Sequence, residues 1–251
     1  MSQMVLFQHG LGGDEAQVVQ HWPDGTDARR VTIASRGHGE TPLGSDRPFS
    51  IARFADDALD AMAGQDRFVA AGISMGAAIA LALACHHPAR VSALILVRPA
   101  WDVIAAPANM APIAEIAALL RRLPLKQARN TFASGDTAAR LRAAAPDNLA
   151  SLLGYADRPN AAAFAEVLAD IAAGSPGVTR AQVEALSLPT LIIANEHDVI
   201  HPTACARTLA DAIPGARLIR VTAKALDKNR HQREVRAAIA GFLSEQSRRH
   251  P

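Results

Sequence analysis

Aromatic residues are scarce: they make up 4% of the 251-residue chain, with one tyrosine and two tryptophans, and there are only two cysteines. Cys85 and Cys205 make neither a disulfide framework nor, by themselves, a zinc site. Cys85 lies in an alanine-rich helical stretch and reads as a small buried apolar residue. A charge excess of one sign is also missing, because 26 Lys and Arg face 24 Asp and Glu, for a net charge of +2. That balance gives no reason to expect a nucleic-acid partner, and the RRH tail reads as a solvated end. No run is long and apolar enough to cross a bilayer, so no membrane partner is expected. The opening MSQMVLFQHG lacks a basic start, a long apolar core and a cleavage site. No signal peptide is therefore expected, and a cytoplasmic location follows by default.

The chain does have the balance of a soluble globular protein, with 49% hydrophobic and 20% charged residues. Six apolar runs read as strands: MVLFQ, RRVTIAS, RFVAAG, SALILVR, PTLIIAN and ARLIRV. Helical patterns separate them, so an α/β fold is expected, with a mostly parallel sheet of about six strands and helices on both faces. Between Pro107 and Leu186 the alternation stops and only helical segments follow one another. This stretch is too long for a crossover and too apolar for disorder. The expected organisation is a core of residues 1–106 and 187–251 with a helical cap insert over residues 107–186.

In such sheets ligands bind beyond the carboxyl ends of the strands, so the residues just after each strand matter most. After RFVAAG comes Gly72-Ile73-Ser74-Met75-Gly76, followed by the helix former MGAAIALALACHH. A strand-to-helix turn this tight brings backbone close to backbone, and glycines two before and two after the serine remove the side chains that would collide. G-x-S-x-G in this context is a nucleophile elbow that exposes the Ser74 hydroxyl above the sheet. After the first strand comes HGLGG. Its backbone N–H at Leu11, paired with that of Met75, is expected to form an oxyanion hole. His9 reads as a loop residue that holds this turn and borders the substrate pocket, and His38, between two glycines, reads as structural. After the fourth strand, Arg98 and Trp101 are expected to border the pocket; for Arg98 a structural ion pair competes with binding a substrate carboxylate. After the fifth strand, Asp198 is the carboxylate expected to orient a histidine, in preference to Glu196, and Asp102 is the substitute.

Taken together, HGLGG, RGHGET, the elbow, VSALILVRPA, the insert, LIIANEHDVIHP and IPGARLIRV resemble the α/β-hydrolase superfamily over nearly the whole chain. The resemblance implies a serine hydrolase that acts on a small-molecule substrate without metal or organic cofactor. Two departures stand out. The hairpin that opens most members is missing, and no Gly-His follows the last strand, where TAKALDKNRHQREV stands instead. Three histidines follow Asp198. His250 is one residue from the end, and His201 lies close in sequence to Asp198, against a proline. His231 is four residues before Val235 and shares its helical face with Ile239 and Phe242, so it is the expected base. The expected activity is cleavage of a carboxylic ester or related acyl bond by Ser74, His231 and Asp198 through an acyl-enzyme. The alternative is a catalytically weakened scaffold that binds a ligand or partner. Oligomeric state is left open.

Overall fold

The computed structural model describes residues 2–249, so His250 lies outside the described residues. Six strands form one sheet: β1 (Met4–Gln8), β2 (Arg29–Val31), β3 (Phe68–Ile73), β4 (Val91–Val97), β5 (Thr190–Ala194) and β6 (Arg217–Arg220). Their order is β2-β1-β3-β4-β5-β6, and every neighbouring pair is parallel. The direction of winding reverses between β1 and β3, which opens a crevice at their carboxyl ends.

The strands bury both faces, as their continuous apolar runs require. Leu6, Ala70, Leu94, Leu96 and Ile192 point to one side, and Val5, Phe7, Val69, Ala71, Ile95 and Leu191 to the other. Helices α2 (Ile51–Asp60), α3 (Met75–His86) and α10 (Thr203–Ala212) cover the first side. Helices α1 (Glu15–Val19) and α11 (Lys228–Arg249) cover the second, where Val235, Ile239 and Phe242 pack under the sheet. Burying each such side chain is worth roughly 1.5–3 kcal/mol. Helix α3 is apolar all round because it is enclosed on every side: every residue from Met75 to Ala84 is buried.

Between β4 and β5 the chain forms a 3₁₀ turn at Ala108–Met110 and then α4 (Ala111–Arg122), α5 (Leu125–Ser134), α6 (Asp136–Ala144), α7 (Pro146–Gly154), α8 (Ala161–Ala173) and α9 (Arg180–Glu184). Polar bonds tie this insert to the loops at the carboxyl ends of the strands. Asn148 Oδ1 accepts from the N–H groups of Val199 and Ile200 at 2.8 and 3.1 Å. The Tyr155 hydroxyl donates to Leu11 O at 3.2 Å, and Arg158 Nη1 donates to Gly12 O at 2.7 Å. The Trp101 indole donates to Gly174 O at 3.2 Å. No described helix is long and apolar enough to cross a membrane.

Candidate active site

The turn after β3 is as tight as the glycines predict. A Cβ on Gly72 would lie 1.9 Å from the Gly76 carbonyl oxygen, and one on Gly76 would lie 2.2 Å from that of Gln8. No other residue fits either place. Ser74 itself adopts φ +56, in the region that side chains rarely enter. Among the described residues only Ser74, Arg98, Ala106 and His197 do so without being glycine. Three of these lie just beyond β3, β4 and β5, so the strain is concentrated around the crevice. Ser74 also stands at the N-cap of α3, yet its hydroxyl makes no capping bond. It is hydrogen-bonded instead to His201 Nε2 at 2.8 Å.

The partner imidazole is therefore that of His201, and the expectation for His231 is corrected. His231 does lie on the Val235 face of α11, but that face packs on the far side of the sheet. Its Nδ1–H donates to Thr222 O at 2.9 Å, and its ring meets His21 edge-on with centroids 6.0 Å apart. His201 reaches Asp198 in spite of the short separation. Asp198 Oδ1 accepts the His201 backbone N–H at 3.0 Å, which closes a turn, and the ring folds back so that Nδ1 meets the same oxygen at 2.9 Å. Pro202, next in the chain, disfavours helical backbone at His201, and α10 begins only at Thr203. The legible signal was D-V-I-H-P, an aspartate whose side chain caps the N–H three residues on, as at a helix start.

The other oxygen of Asp198 is held by Arg98, whose Nε and Nη2 donate at 2.9 and 2.5 Å. Burial alone would raise the Asp198 carboxyl, but the charges and hydrogen bonds of His201 and Arg98 outweigh it and hold it well below the usual carboxylate range. Arg98 Nη2 also lies 3.2 Å from His201 Nδ1. The ionised Asp198 carboxylate can only accept, so Nδ1–H is assigned to it and Nε2 is left bare toward Ser74. Burial lowers the His201 imidazole below its ordinary value; Asp198 opposes this, and Arg98 and Lys224 add to it. Ser74, His201 and Asp198 thus form one hydrogen-bonded chain, drawn from the ends of β3 and β5 and braced from β4.

Ser74 and His201 open on a partly enclosed cavity of about 80 Å³. Leu11, Arg98, Trp101, Lys224 and Tyr155 are among its walls. Leu11 N–H has no acceptor among the described residues, and Met75 N–H, first in α3, has none within its helix. His9 does not border the cavity, which corrects that expectation. Its Nδ1–H donates to Gly10 O at 2.9 Å and its Nε2 accepts from Ser35 N–H at 3.0 Å, so both ring nitrogens are used in holding the loop. Arg98 and Trp101 border the cavity as expected, with Arg98 committed to its ion pair. Asp102 accepts from the N–H groups of Val103 and Ile104 at 2.6 and 2.9 Å and caps its own turn. His38 is buried, and burial depresses it to about 3, while burial pushes the Cys85 and Cys205 thiols up to about 12. Among the described residues no group of three or more His, Cys, Asp or Glu is placed to hold a metal ion.

Residues 3–223 match the family model described as the alpha/beta hydrolase fold. The chain is an alpha/beta hydrolase. It is 27% identical over 231 residues to RutD of Klebsiella pneumoniae (strain 342), a proposed carbamate hydrolase, covering 86% of this chain and 81% of that protein. Its fold is also that of the enol-lactonase from Burkholderia xenovorans LB400, with a TM-score of 0.73 and 22% identity over 97% of this chain and 92% of that one. A thermophilic esterase from Thermogutta terrifontis gives a TM-score of 0.72 at 21% identity, over 98% and 91% of the two chains.

Proposed function

We propose that this protein is a serine hydrolase that cleaves a small acyl compound through Ser74, His201 and Asp198. The observation that carries the reading is the bare His201 Nε2 at 2.8 Å from the Ser74 hydroxyl, with Asp198 on the opposite ring nitrogen. His201 takes the Ser74 proton as the oxygen attacks the carbonyl carbon, and Asp198 stabilises the imidazolium that forms. The N–H groups of Leu11 and Met75 receive the developing oxyanion, each worth on the order of 3 kcal/mol. The imidazolium then returns its proton to the leaving group, and water, deprotonated by the same ring, releases the acyl group from Ser74.

The inserted helices act as the cap. Leu152 and Tyr155 at the end of α7 close the cavity, and Asn148 pins the loop that carries Asp198 and His201. A volume of about 80 Å³ is far below the roughly 300–1,000 Å³ of sites for drug-sized ligands, so the substrate is small. Carbamates, lactones and esters, the bonds in the names of the similar proteins, all offer an acyl carbon to this oxygen. The scaffold reading rested on a missing Gly-His after the last strand and on the truncated start; His201 beside Ser74 speaks against the first of these.

Turnover of p-nitrophenyl acetate tests the proposal. A pre-steady-state burst of one nitrophenol per chain is expected, and Ser74→Ala abolishes both burst and turnover. Unchanged turnover in Ser74→Ala refutes the assignment.

A further inference from the structure

Lys224 has no counterpart in the reaction above. It stands in the turn between β6 and α11, at the carboxyl end of the sheet, and lines the same cavity as Ser74 and His201. The turn is firmly built. Thr222 N–H donates to Glu234 at 2.6 Å, the Thr222 hydroxyl donates to the same carboxylate at 3.1 Å, and Thr222 O accepts from His231. Ala223 O accepts from the N–H groups of Leu226 and Asp227.

Yet the Lys224 ammonium has no hydrogen bond and no carboxylate within ion-pair distance among the described residues. Two acids lie near it, Asp198 and Asp147, and Asp147 keeps one buried oxygen without a hydrogen-bond partner. Asp198 gives one oxygen to His201 and the other to Arg98, and Asp147 turns toward Arg98 at 3.8 Å. The described cavity lining contains two cations, Arg98 and Lys224, and no carboxylate. Arg98 is paired with Asp198, and Lys224 is the cation of the described lining that has no direct partner. A half-buried ammonium without a partner is costly, and an anion that arrives with the ligand recovers that cost.

We infer that Lys224 binds a carboxylate on the substrate, so that the enzyme selects small anionic acyl compounds over neutral ones of the same shape. Lys224 here is a specificity residue, and the inference rests on Ser74 being the nucleophile of this cavity. Binding is therefore measured where no turnover occurs, in the Ser74→Ala protein. The ligands are monomethyl malonate and its neutral analogue methyl propionate, titrated by calorimetry at low salt. Monomethyl malonate is expected to bind at least about tenfold more tightly than methyl propionate. Adding Lys224→Gln removes the difference, and adding Lys224→Arg keeps most of it, with thermal unfolding confirming that both variants are folded. Equal binding of the two esters, binding of neither, or an undiminished preference in Lys224→Gln overturns the inference. None of these results depends on whether Ser74 hydrolyses anything, so failure here and failure of the hydrolase reading remain separate.

Discussion

The loop after β5 and the turn after β6 are built from similar residues and serve different ends. In the first, Asp198 and His201 lie three residues apart, and one carboxylate oxygen holds both the backbone and the ring of the histidine. In the second, His231 is fully buried, but its Nδ1–H holds Thr222 O, and the residue the turn presents to the cavity is Lys224. Burial and proximity to the sheet do not make an imidazole a base. What matters is which face of the sheet its helix covers, and whether a carboxylate fixes its tautomer.

The comparison can be broken most sharply at the carboxylate. Asp198→Asn leaves the turn intact in shape but allows the wrong tautomer of His201, and kcat for p-nitrophenyl acetate is expected to fall about a thousandfold or more. A loss under tenfold would mean that Asp198 only braces Arg98. A smaller effect is expected at Arg98, whose charge opposes protonation of His201. The imidazole must be neutral to accept the Ser74 proton, and its lowered pKa keeps it neutral as pH falls below the ordinary histidine value. Arg98→Gln removes one of the lowering influences, so the acid limb of the kcat/KM profile moves to higher pH. Activity on the acid side of the profile then falls in Arg98→Gln relative to its own alkaline plateau. A limb that stays in place or moves to lower pH contradicts this electrostatic assignment.

The sheet was legible because its signals are local. Each of the six apolar runs became a strand within a few residues of its expected bounds, and RRVTIAS shortened most, to Arg29–Val31, at the sheet edge. The elbow was legible for a similar reason, since the need for Gly72 and Gly76 arises within five residues. The base was not. His231 satisfied helical periodicity, but periodicity says only that a residue points inward, and this sheet has an inside on both faces. His201 was set aside for its closeness to Asp198, although an aspartate-capped turn brings residues at that spacing together. His9 was legible as a turn-holder, but not the fact that its second nitrogen would tie it to Ser35 in the loop after β2. Lys224 carries no local pattern; only the folded cavity shows that it lines the site without a direct ion pair.

The most direct test compares the two imidazoles by the rate at which a fluorophosphonate labels Ser74. His201→Gln is expected to slow labelling at least about a hundredfold, the size of a lost general base. His231→Gln, which keeps a donor for Thr222 O, is expected to label within about threefold of the unaltered protein, since general-base losses begin near a hundredfold. Rapid labelling in His201→Gln, together with loss of labelling in folded His231→Gln, would contradict the account.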